Sequence, residues 1–158
     1  MANTIKTYYF SFGSNMCYKR IQKRLSRDGE KYYASYPAVL KNKKLVFNRK
    51  SRSKPGIGYA SFVDDDNFNL YGVLYEITMN GIYSLDSYEM YPHYYRRIML
   101  EVETEELGVV EAWVYIANPM KTSEGLAPTK HYIEYMLMAS AILPKHYVDF
   151  IRAIKTVD

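Results

Sequence analysis

Tyr8-Tyr9-Phe10-Ser11-Phe12-Gly13-Ser14-Asn15-Met16 is the stretch whose reading decides the rest. Its aromatic first half predicts a short strand and Gly13-Ser14-Asn15 a polar turn. Ile21 and Leu25, four apart with basic residues between them, predict a helix after it. Asn15 is placed to cap that helix. Free backbone N–H groups at the helix start, beside a glycine that lets a ligand approach closely, would make a site for an anion such as carboxylate or phosphate. The same residues also fit a plain strand-turn-helix corner with no ligand at all.

The chain of 158 residues, 48% of them hydrophobic, predicts one domain over 1–158 with a core of its own. No apolar stretch is long enough for a membrane span, and no signal peptide is legible at the N-terminus. Cys17 stands alone and predicts a small buried residue in a reducing, cytoplasmic setting. The net charge of +4 is unevenly placed: seven basic residues and no acidic one fall between Lys41 and Lys54, which leaves the remainder at −3. A solvated strand edge explains that run, and so does an anionic partner.

The first helix is expected from Met16 to Leu25, stopped by Gly29. Tyr33 to Leu40, around Pro37, predicts an edge or irregular strand, and Lys44 to Asn48 a short second one. A loop over 51–58 then leads to a strand at Tyr59–Val63 and a turn at Asp64–Asn67. Leu70–Ile77 reads as the central strand. From Thr78 to Glu89 the apolar positions have helical spacing, with Asp86 and Glu89 in the last turn, where the helix dipole disfavours acids. Arg96–Glu103 and Val109–Ala117 predict a hairpin, with Trp113 in the core, followed by helices over 130–142 and 144–155. Strands followed by two terminal helices, without regular alternation, give an α+β fold.

Candidate chemistry is narrow. His93, His131 and His146 are scattered and no cysteine pair accompanies them, so no metal or other cofactor is expected. Neither a serine elbow nor a phosphate-loop glycine pattern is present. What remains is a turn of backbone donors and a carboxylate.

Tyr9-Phe10-Ser11-Phe12-Gly13-Ser14-Asn15-Met16 resembles the YxxYGSNL signature of the γ-glutamylcyclotransferase-like family, with Phe12 where a tyrosine is usual. Leu85-Asp86-Ser87-Tyr88-Glu89 resembles its LDxxE segment, and Tyr94-Tyr95-Arg96-Arg97 the strand that follows. Pro128-Thr129, Tyr132, Ala141, Leu143-Pro144 and Tyr147 are similar to the closing segment, with Ser140 replacing a glycine. The resemblance spans roughly residues 8 to 154.

That resemblance implies a small mixed β-barrel flanked by helices, with the Gly13 turn and Glu89 meeting at a cavity. It also implies a reaction in which the α-amine of a γ-glutamyl group attacks its own γ-carbonyl, releasing an amine and 5-oxoproline. Glu89 would then be the catalytic acid and base, while Phe12, Gly13, Ser14, Asn15 and Tyr95 bind substrate, Tyr94 being the alternative to Tyr95. The partner is a small-molecule γ-glutamyl substrate, free or carried on an acidic acyl carrier protein that the basic run would suit, with a homodimer allowed. The competing class is a nucleic-acid-binding module that uses the basic run and some of the eighteen tyrosines.

Overall fold

The computed structural model describes residues 3–158. Strands β1 (Lys6–Ser11), β2 (Ala34–Lys50), β3 (Gly58–Thr78), β4 (Tyr95–Thr104) and β5 (Gly108–Ala117) close into a barrel in the spatial order β1, β3, β2, β4, β5. Every pairing is antiparallel except that of β1 with β5, which is parallel and joins Tyr9 to Trp113. Helices α1 (Tyr18–Ser26), α2 (Met79–Tyr88), α3 (Lys130–Leu137) and α4 (Lys145–Arg152) complete an α+β fold. Among the described residues no helix is long and apolar enough to cross a membrane.

β3 is central, as its apolar run over 70–77 predicts: Val73 to Thr78 pair with β1 on one side, and much of the strand pairs with β2 on the other. The two long strands differ from the expected four short ones. Lys41 pairs with Asn69 but Lys43 with Asp64, so Asp65, Asp66, Asn67 and Phe68 lie opposite the single Asn42, which adopts φ 61°. The aspartate run expected to turn the chain instead bulges the ladder, and an asparagine tolerates the left-handed conformation at that point. Pro37 lies where β2 meets β4 through a single pair, Val39 with Glu103, so its missing N–H costs little.

The signature stretch departs from expectation in its caps. After β1, Ser14–Met16 form one 3-10 turn, and α1 begins only at Tyr18 without a side-chain cap. Asn15 is therefore no N-cap, and its side chain turns inward. Gly29, at φ 72°, and the Glu30 N–H bond to the Leu25 carbonyl close α1 as predicted. The helix predicted over 130–142 ends at Leu137, and Pro144 immediately precedes α4.

Tyr9, Tyr75, Tyr95, Tyr115 and Tyr147 are at most 4% exposed, which removes them from any stacking surface for nucleic acid. The basic run does not behave as one face either. Lys41 and Lys43 pair with Glu103 and Asp64 at the surface, whereas Arg49 is buried.

Gly72 lets β1 and β3 pack: a Cβ there would run into the Ser11 carbonyl, a backbone atom that cannot rotate away. Gly72→Ala is expected to lower stability by about 1–3 kcal/mol through overpacking. Chemical denaturation checks this, and an unchanged midpoint would show that the strands can part freely.

Candidate active site

Glu89 is held by the way α2 begins and ends. Thr78 caps the first turn, its Oγ1 accepting from the Gly81 N–H at 3.2 Å. At the other end, the Met90 N–H bonds to the Ser87 carbonyl and the Tyr91 N–H to the Asp86 carbonyl, while Met90 takes φ 52°. This is the reversed-hand helix stop usually built with glycine, formed here by a methionine at some conformational cost. Glu89 is the last residue before that reversal.

Asp86, one turn earlier, has the partner that local sequence does not supply. Arg97 on β4 donates to both its carboxylate oxygens, at 2.9 and 3.1 Å, and the Tyr115 hydroxyl on β5 donates at 2.7 Å. The last turn of α2 is thereby clamped to the barrel wall. Asp86 is not a solvated neighbour of Glu89, and its loss would disturb that carboxylate's placement.

One cavity of about 270 Å³ is lined by Glu89, Phe12, Gly13, Ser14, Asn15 and Tyr95 together. The Phe12 ring is buried and packs edge-on against Phe62. Asn15 links the wall: its side-chain amide donates to the Tyr9 hydroxyl, its Oδ1 accepts from Arg24, and its carbonyl accepts from Tyr75 at 2.7 Å. The Tyr95 hydroxyl donates to the Ala60 carbonyl at 2.6 Å, so it can only accept from a ligand. Tyr94 does not line the cavity.

Gly13 has a close neighbour besides the cavity: a Cβ there would lie 2.7 Å from the hydroxyl of Tyr132 on α3. Tyr132 lines the same cavity, and its phenol is a neutral group that can donate a hydrogen bond.

Sequence reasoning missed the cations. Arg20 and Arg24, one turn apart on α1, and Arg49 on β2 all reach the cavity. Their only signals were the i, i+4 spacing in α1 and the basic run. Arg24 Nη1 stands 3.8 Å from Glu89 Oε1, too long for a direct hydrogen bond, and Arg20 is tied to Ser14 Oγ at 3.1 Å. Burial pushes the Glu89 carboxyl above the ordinary glutamate value, against the downward pull of Arg24, Arg49 and Arg20; nearby Asp86 adds to the upward shift. Burial likewise raises the phenol of Tyr132 to about 12 and holds those of Tyr9, Tyr95 and Tyr115 well above the ordinary tyrosine value, so these tyrosines stay neutral. Among the described residues no cluster of three or more His, Cys, Asp or Glu is placed to hold a metal ion.

Residues 9–135 match the family model described as gamma-glutamyl cyclotransferase, AIG2-like. The chain belongs to that family. Solved structures agree in fold. One named gamma-glutamyl cyclotransferase superposes at TM-score 0.80 with 23% identity, over 97% of this chain and 90% of the other. An uncharacterized human protein gives 0.79, 23%, 97% and 90%. YkqA of Bacillus subtilis gives 0.78 and 22%, over 96% of this chain and 56% of its own. No curated protein sequence gives a significant match.

In this cyclotransferase-family chain, the Gly13–Tyr132 contact makes a testable pair. Gly13→Ala is expected to cost about 1 kcal/mol, and most of that should vanish in a Tyr132→Phe background, since the next ring atom is 3.8 Å away. A double-mutant cycle by chemical denaturation measures the coupling; strict additivity would show that the tyrosine hydroxyl is not what restricts position 13.

Proposed function

We propose that the protein is a γ-glutamylcyclotransferase that releases 5-oxoproline, with Glu89 moving the protons. The carrying observation is a single carboxylate, 16% exposed, in a cavity whose other ionisable lining is arginine and neutral tyrosine. In the substrate the α-amine nitrogen attacks the γ-carbon, and the bond from that carbon to the leaving nitrogen breaks. The attacking nitrogen loses a proton and the leaving nitrogen gains one, so one carboxylate that takes and returns a proton closes the cycle. A carboxyl with a raised pKa is a better acceptor for an ammonium proton than an ordinary surface glutamate.

Cyclisation is intramolecular, so the protein has chiefly to hold the folded-back conformer. The turn after β1 is suited to holding it, because the N–H groups of Gly13 and Asn15 make no turn or loop bond to a backbone carbonyl, and Arg20 stands beside them on Ser14. In this reading the substrate α-carboxylate sits there. The Tyr132 hydroxyl, which lines the same cavity, suits the γ-carbonyl oxygen, on which negative charge develops during attack.

Glu89→Gln keeps the side chain's size and removes its proton-carrying capacity. It is expected to lower kcat by roughly 10²- to 10⁴-fold in 5-oxoproline release from a γ-glutamyl amino acid panel. Stability should move the other way. Because the folded-state pKa is raised, the folded state binds the extra proton between the ordinary and the raised value, so wild-type stability falls as pH rises through that window. At neutral pH Glu89→Gln should be at least as stable as wild type, with the advantage lost below the ordinary glutamate pKa. A folded Glu89→Gln protein that turns over at near wild-type rate would rule out this role.

A further inference from the structure

Arg49 is a buried charge that acts on Glu89 only through its field and to which the cyclisation scheme gives no substrate bond. It is 6% exposed, and among the described residues no carboxylate lies within ion-pair distance of it. Its Nη1 donates to the Lys50 carbonyl at 3.1 Å, whereas its Nε is buried without an acceptor. Tyr59, Tyr95 and Tyr94 place their rings 4.5, 4.6 and 5.2 Å from the guanidinium carbon. Aromatic packing of this kind shields the faces of a guanidinium and leaves the N–H edges as the polar surface, in the plane that matches a carboxylate. Burying such a charge unpaired is expensive, and it is tolerated where a ligand completes the pair.

The charge balance of the cavity points the same way. Arg20, Arg24, Arg49 and Arg52 line it against the single carboxylate of Glu89. The γ-glutamyl half of a substrate brings one carboxylate, and the turn after β1 beside Arg20 is the place for it. Arg49 and Arg52, with Ser51 and Ser53, form a separate segment of the wall where β2 ends and the following loop begins.

We infer that Arg49 selects the leaving half of the substrate, binding a carboxylate on the carbon next to the scissile nitrogen. This rests on the cyclotransferase reading. The position follows from Tyr95, which packs against Arg49 and lines the same cavity as Glu89, the group that must reach the leaving nitrogen. The preferred substrate is therefore a γ-glutamyl α-amino acid. Neutral γ-glutamyl amines lack the anion, and a carrier-borne amine with no carboxylate beside the nitrogen would leave Arg49 unpaired.

The test compares γ-glutamylalanine, γ-glutamylalaninamide and γ-glutamylethylamine by 5-oxoproline release. Wild type is expected to favour the first over the other two by about 10²-fold in kcat/KM, because a buried donor left without its acceptor rejects the analogue. Arg49→Met should narrow that preference to about threefold or less, whatever change the loss of its charge near Glu89 makes to all three substrates in common. Arg49→Lys keeps the charge without the planar fork and should fall between. Equal wild-type rates on all three, or an equal loss on all three in the variants, would overturn the proposal while leaving the cyclotransferase reading intact. No 5-oxoproline from any of them would overturn both. Should Arg49→Met fail to fold, the wild-type panel and Arg49→Lys decide.

Discussion

The carboxylate of Glu89 is pulled in two directions, and much of the site exists to hold that balance. Removal from water disfavours its charge, while Arg24, Arg49 and Arg20 favour it. Burial prevails, so the group has an easily accepted proton in a cavity of fixed cations. A direct bond to Arg24 would favour the charged form further; the 3.8 Å separation keeps the guanidinium's field without its hydrogen bond. Asn15 maintains that separation by occupying Arg24 Nη1 at 3.1 Å.

Holding one side chain to this tolerance takes contributions from distant parts of the chain. The helix stop at Met90 decides where α2 delivers Glu89, and the Asp86 clamp to Arg97 and Tyr115 ties that delivery point to β4 and β5. From the opposite wall, β1 passes through the Ser14–Met16 turn into α1, which supplies Arg20 and Arg24. Tyr75 on β3 fixes the turn through the Asn15 carbonyl, and Tyr132 on α3 packs over Gly13. The barrel order puts β1 between β3 and β5, so the turn and Tyr115 on β5 meet at one cavity.

What the sequence made legible follows from range. Elements set by local pattern were readable: the buried run 70–77, the helix from Thr78, the hairpin around 105–108 and the stop at Gly29. Glu89 and the Gly13 turn stood out through their motifs. The continuous strand 34–50 was not readable, because Asn42 and the bulge opposite it mimic turn chemistry and only the pairing partner reveals the ladder. Arg49 was hidden for a related reason: seven cations in one run look alike until strand direction and burial separate inward from outward. Asp86 looked unpartnered because Arg97 and Tyr115 lie eleven and twenty-nine residues away. The neighbour of position 13 was hidden as well, because nothing local shows that a tyrosine 119 residues later stands over it.

The central claim is that Glu89 titrates above an ordinary glutamate and that its deprotonated form acts as the base. Side-chain carboxyl ¹³C NMR on glutamate-labelled protein, with Glu89→Gln to assign the signal, follows that titration directly beside the pH dependence of kcat/KM. Glu89 is predicted to titrate above the ordinary value, and the acid limb of kcat/KM to fall at the same pH, since protonation removes the base. A Glu89 signal at or below the ordinary value, or an acid limb that does not track it, would contradict that claim.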